Sequence, residues 1–150
     1  MKATDSGKRI GSQEERAFVD LVRTTDLLSR QPAQVLKAED LSSTQYNVLR
    51  ILRGAGEGLS CSEIGNRMIT RDPDITRLLD RLEKRKLVAR ARDKKDRRTV
   101  VVTITAKGLD LLARLDIPIR EVHRAQLGHL GEERLGELTK LLAACCPVKK

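Results

Sequence analysis

The chain has 150 residues, 39% apolar and 34% charged, with one Phe, one Tyr, no Trp and a formal charge of +9. That length supports one domain with a real core, or one domain with helical extensions, and the core has to be aliphatic. No apolar run approaches the roughly 20 residues of a membrane span, the opening MKATDSGKRIGSQEER lacks an apolar stretch of signal-peptide type, and an odd cysteine number, two of them adjacent, suggests no disulfide framework, so the expectation is a cytoplasmic protein with no membrane partner.

Residues 1–11 read as a flexible tail. Ser12 with Glu15 has the spacing of a capping box, in which a side chain at each end of the first turn satisfies an orphan backbone donor. The helix that follows is expected from about residue 13 to the low thirties, with Ala17, Phe18, Leu21, Val22, Thr25 and Leu28 at helical spacing. Pro32 is expected to end or kink it. Ser42 with Gln45 and Ser60 with Glu63 repeat the capping box, each with a staple pair, Leu41 with Tyr46 and Leu59 with Ile64. A second helix should carry Val48, Leu49 and Leu52 inward and stop before the glycine loop GAGEG at 54–58. A short third helix should cover about 61–69 with Ile64 and Met68 inward.

In RDPDITRLLDRLEKRKLV, Asp72 is expected as the N-cap, Pro73 at the first helical position and Asp74 at the positive end of the dipole. Ile75, Leu78, Leu79 and Leu82 form one buried stripe. Arg77, Asp80 and Lys84 lie opposite it, flanked by Thr76, Arg81 and Arg85. After Leu87 the period changes: VARAR at 88–92 and TVVVTIT at 99–105 predict two strands of a hairpin with DKKDRR at its tip. Residues 77–98 hold 11 basic and 4 acidic side chains, so nearly all the excess charge sits in this helix and hairpin. Beyond Thr105 the pattern is helical again, with Ile104 and Leu109 as a staple pair, an interruption at Pro118, and a last helix at about 132–145. The apolar faces of the first and last helices predict a partner, most simply a second copy of the chain.

This order predicts a mainly α fold with a small β hairpin: a winged helix-turn-helix at 41–105, with helical dimerisation regions at 12–40 and 106–150. Its basic helix suits the major groove of double-stranded DNA. Arg77 faces outward early in that helix and its fork matches guanine. Asp74 and Asp80 are expected to hold Arg77 and Arg81 in position, with acceptance from cytosine as the other option. Lys94, Lys95, Arg97 and Arg98 can reach the adjacent minor groove, where negative potential attracts arginine. Asp96 is expected to fix the tip and orient a guanidinium through a salt bridge.

LSCSEIGNRMITRDPDITRLLDRLEKRKLVARARDKKDRRTVVVTITAKGLDLL at 59–112 resembles the DNA-binding core of the MarR family of bacterial transcriptional regulators. TRLLDRLEKRKLV at 76–88 and DRRTVVVTITAKG at 96–108 carry the likeness, and LSSTQYNVLRIL at 41–52 shares it. The resemblance implies a homodimer of winged lobes, a roughly palindromic operator, repression, and release by a small phenolic or lipophilic effector or by cysteine oxidation. It implies that residues 74–81 face the major groove, that Arg98 is the minor-groove arginine, and that Asp96 is its partner. The chain departs from the family where Pro73 and Asp74 replace Ser or Thr, and where Lys86 replaces Gly at a helix end.

Other constellations weigh less. Tyr46 and Arg50, one turn apart, are candidates for lining an effector cleft. Cys61 in a first helical turn offers redox sensing as an alternative signal. His123 and His129, six apart, do not align as metal ligands. No metal, no cofactor and no enzymatic activity are expected. The rival function is a non-specific architectural DNA- or RNA-binding winged helix.

Overall fold

A computed structural model describes residues 11–146. In chain order it comprises α1 (Gln13–Ala38), α2 (Ser43–Ala55), β1 (Leu59–Ser60), α3 (Cys61–Arg67), α4 (Ile75–Lys84), β2 (Val88–Arg92), β3 (Val100–Ile104), α5 (Ala106–Leu127), a 3-10 turn (Gly128–Leu130) and α6 (Gly131–Cys145). The fold is mainly helical with a small antiparallel sheet, a winged helix-turn-helix with flanking helices. Most of the 1–11 tail lies outside the described residues. None of the described helices is long and apolar enough to cross a membrane.

The chain divides into two units, one closing at Arg30 and the other beginning at Gln31. In the first, the opening turns of α1 keep large apolar side chains in solvent: Phe18 is 67% exposed, Val22 53% and Leu27 63%. Glu15 N–H donates to Ser12 Oγ at 3.1 Å, one half of the expected box.

In the second unit the core is aliphatic throughout, as the composition requires. Val48, Leu49 and Leu52 of α2, Ile64 of α3, and Leu78, Leu79 and Leu82 of α4 are buried together with Leu59, Leu87, Val88 and Val102. From α5 come Leu111, Leu112, Leu115 and Ile119, and from α1 Leu36. No polar or charged residue among the described residues is buried, so the core bears no desolvation cost for charge.

Helix ends follow local chemistry. Of the three expected capping boxes, Ser42 with Gln45 and Ser60 with Glu63 are complete. Thr105 caps α5 by accepting the Gly108 N–H. Lys86 has φ 59° and Asp40 φ 54°, both left-handed. At each, the next leucine's N–H reaches back five residues, Leu87 to Leu82 O and Leu41 to Leu36 O, both at 3.0 Å. With Lys86 N–H on Glu83 O and Asp40 N–H on Lys37 O, these are Schellman ends. The four leucines they bring together are all buried.

Four expectations need correction. α1 runs through Pro32 to Ala38, and α5 runs through Pro118 to Leu127. An internal proline costs a helix about 3 kcal/mol; burial of Leu36 beyond the first, and of Leu115 and Ile119 around the second, offsets it. The N-cap of α4 is Asp74, not Asp72: Asp74 accepts Arg77 N–H at 3.2 Å, while Asp72 accepts Asp74 N–H at 2.8 Å in the preceding turn. Pro73 therefore lies before the helix. Finally, the hairpin is not alone. Leu59–Ser60 pairs with β3 to give the order β1-β3-β2, with Leu59 opposite Val102 and Arg90 opposite Val102 on the other side. A third strand supplies support that a lone hairpin lacks in water.

Gly108 marks the closest backbone approach. A Cβ there would sit 2.4 Å from Leu87 O, the carbonyl that also receives Thr105 N–H. The absence of a side chain lets α5 begin directly against the turn that ends α4.

Candidate nucleic-acid interface

α4 separates two environments. Leu78, Leu79 and Leu82 are 7%, 1% and 0% exposed, whereas Thr76, Arg77, Arg81 and Lys84 are exposed on other faces. Asp74 caps the helix and lies 3.5 Å from Arg77 Nε through its other oxygen. It therefore stands within ion-pair distance of Arg77. In water an exposed pair of this kind contributes little stability; its effect is on where the guanidinium points.

Asp80 does something other than expected. It pairs neither with Arg77 nor with Arg81 but with Arg90 of β2. The same guanidinium donates from Nε to Glu83 Oε2 at 3.0 Å and from Nη2 to Glu83 Oε1 at 3.3 Å. These bonds push Arg90 further above the usual guanidinium range and hold Glu83 below the usual carboxylate range. The i, i+3 spacing of Asp80 and Glu83 stacks them on one side of α4. The bridge spans helix and wing.

The wing tip occupies residues 93–99, closed by Asp93 N–H on Thr99 O at 2.8 Å and Thr99 N–H on Asp96 O at 3.0 Å. Lys94, Lys95, Asp96, Arg97 and Arg98 are all exposed. Asp96 fixes the tip, but not by the salt bridge expected of it. Its Oδ1 accepts the backbone N–H of Arg98 at 3.1 Å, and its Oδ2 the Thr99 hydroxyl at 3.4 Å. A short carboxylate closes on the amide two residues ahead more easily than it reaches a long guanidinium. Asp93 repeats the pattern on Lys95 N–H, and Arg92 donates to Arg97 O at 2.9 Å.

α2 and α4 flank an open groove of about 830 Å³, with Thr44 and Gln45 on one side and Arg77, Arg81 and Lys84 on the other. Arg85 leaves the end of α4 to donate to Asp40 O and Glu39 O. Neither this clasp nor the Arg90 bridge follows from spacing along the chain. The one available signal for Arg90 was a charged residue at an inward position of VARAR, in register with buried Val102.

A smaller cleft of about 290 Å³ is lined by Tyr46, Arg50, Arg53, Asp116, Arg120 and His123 with Ile119. It brings the expected pair together: Arg50 stands 5.8 Å from the centre of the Tyr46 ring. Arg53 and Asp116 form a two-pronged pair, Nη1 to Oδ2 and Nη2 to Oδ1 both at 2.9 Å, joining α2 to α5. The Arg53 hydrogen bonds hold the Asp116 carboxyl below its ordinary range. Cys61 is a free thiol of intermediate burial and Cys145 and Cys146 are exposed thiols. Among the described residues no group of three or more His, Cys, Asp or Glu gathers as a metal site.

A buried-stripe helix with a basic outer face, next to a sheet ending in a basic tip, defines a winged helix-turn-helix DNA-binding regulator. Comparison with known proteins agrees: residues 41–100 match the model of the MarR family. A MarR transcription factor from Planctomyces limnophilus is 41% identical, with 91% of this chain and 99% of that one covered and a TM-score of 0.68. The HTH-type transcriptional repressor IacR of Pseudomonas putida is 30% identical over 87% of this chain and 77% of its own length. NadR, solved in complex with 4-hydroxyphenylacetate, is 27% identical over 87% of this chain and 92% of its own, with a TM-score of 0.72. The chain belongs to the MarR family: it is a DNA-binding transcriptional regulator and not an enzyme.

Proposed function

We propose that this chain acts as a homodimeric, sequence-specific repressor that binds a roughly palindromic operator and is released by a small aromatic effector. The observation that carries it is the pairing of two cationic elements: the outer face of α4, with Thr76, Arg77, Arg81 and Lys84, and the wing tip, with Lys94, Lys95, Arg97 and Arg98, held together by Arg90. α4 enters the major groove with Arg77 on a base edge and Asp74 steadying it. The tip reaches the neighbouring minor groove, with Arg98 entering it and Asp96 holding Arg98's amide.

Residues 41–105 form the DNA-binding part in this reading, and 12–40 with 106–150 the dimerisation part, although the first half of α5 also completes the core. Each unit offers exposed apolar side chains to a second copy: Phe18, Val22 and Leu27 in the first, and Leu141 and Leu142 of α6 in the second. The effector cleft is the one beside Tyr46 and Arg50. Its excess of guanidinium over carboxylate suits an anionic phenolic compound, the chemistry carried by NadR's 4-hydroxyphenylacetate. The site of action is the cytoplasmic nucleoid.

Selection from a random duplex library, with sedimentation of the same preparation, tests this. A dyad-symmetric motif bound by a two-chain particle is the expected result. A motif-free pool indicates architectural binding, and a single-chain particle refutes the dimer. Effector release is tested by adding 4-hydroxyphenylacetate to the complex with the selected duplex, against a dithiothreitol and peroxide pair applied to Cys145→Ser/Cys146→Ser, in which Cys61 is the thiol left to respond.

A further inference from the structure

Arg90 stands where the strand pattern calls for an apolar side chain. Val88 and Arg90 share one face of β2, and Val88 is 2% exposed. Arg90's cross-strand partner Val102 is 1% exposed. An arginine on the core side of a sheet needs partners there. It has two, Asp80 and Glu83 of α4, and its own side chain is only 27% exposed. Asp80 is 48% exposed, on the same helix side as Arg77 and Lys84. Left alone, that carboxylate would face the DNA phosphates that its neighbours are to attract.

We propose that Arg90 is a positioning residue for DNA binding: it holds Asp80 and Glu83 so that neither carboxylate repels the duplex. The inference rests on α4 and the wing being the DNA-contacting elements, and goes beyond that reading by assigning a role to a residue that need not touch DNA. The fork geometry suits the task. One planar guanidinium serves two carboxylates from fixed directions, whereas an ammonium offers only a point charge. Asp80 then belongs with Arg90 rather than with the residues that read bases.

The test uses the full-length protein, a duplex selected by the wild type, and Arg90→Gln, Asp80→Asn/Glu83→Gln and the triple variant combining them. Circular dichroism melts fix a temperature at which all are folded. Arg90→Gln is expected to bind about tenfold more weakly, because like charges set opposite one another oppose association. The triple variant is expected to recover to within about threefold of wild type, since the repelling carboxylates are gone. Asp80→Asn/Glu83→Gln with Arg90 intact should bind at least as tightly as wild type. A triple variant no better than Arg90→Gln overturns the proposal, because a purely structural arginine is not rescued by neutralising its partners. Wild-type affinity in Arg90→Gln overturns it too. Undiminished affinity when Arg77 and Arg98 are both changed to alanine instead overturns the assignment of the contacting elements, and this proposal with it.

Discussion

Arg98→Ala probes the wing with little risk to the fold. Asp96 holds position 98 through its backbone amide, at 3.1 Å, and alanine keeps that amide. The Asp93 to Thr99 closure at 2.8 Å does not involve the side chain either. What is lost is one exposed cation. Each neutralised phosphate adds about −0.9 to the slope of log affinity against log salt. A dimer with two wings should therefore lose about 1.8 from that slope. Between 0.05 and 0.15 M salt, a threefold change, the ratio of wild-type to variant affinity should shrink about sevenfold. Fluorescence anisotropy with a labelled operator at several salt concentrations reads both the slope and the weaker binding at low salt. Parallel slopes for the two proteins, with equal affinities, would refute the reasoning: the wing would then lie off the duplex.

Arg77→Ala should cost about 1–3 kcal/mol and relax preference at one base position, checked by competition against single-position operator variants. Asp116→Asn tests the pair joining α2 to α5. Arg53 holds the Asp116 carboxyl below its ordinary value of 3.8, so the pair's stabilisation is complete above that value and is lost as pH falls through the lower folded value. Wild-type melting temperature should thus drop more steeply than the variant's in acid. Lys86→Gly should raise stability by about 1 kcal/mol, because glycine takes the left-handed conformation at little cost; urea melts measure it. Gly108→Ala should destabilise by about 1–3 kcal/mol, since its Cβ would fall 2.4 Å from Leu87 O; thermal melts measure that.

Much of the architecture is legible because its signals are local. The capping boxes at Ser42 and Ser60, the leucine stripe of α4 and the change of period after Leu87 each depend on residues within one or two turns. The left-handed Lys86 was visible as a departure from glycine; Asp40, with no such contrast, was not. The prolines misled because burial of Leu36, Leu115 and Ile119 decides whether those helices continue, and burial is a property of the whole fold. β1 is hidden within the entry to α3 because a two-residue strand has no period of its own. At the site, exposed cations were readable from charge and helical phase. Their partners were not: Arg53 and Asp116 are 63 residues apart, and Asp80 turned from Arg77 to a strand residue ten positions on. Side-chain pairing across elements is set by packing, which spacing along the chain does not encode.

Tyr46 is the sole tyrosine in a chain without tryptophan, and it sits in the cleft beside Arg50. Emission excited beyond the phenylalanine band therefore has one source per chain, with no indole to absorb its energy. Quenching or a change in lifetime on titrating a compound that itself neither absorbs nor emits in the tyrosine band would report events at that ring. The molecule carries its own optical gauge at the place where a chemical signal is expected to arrive.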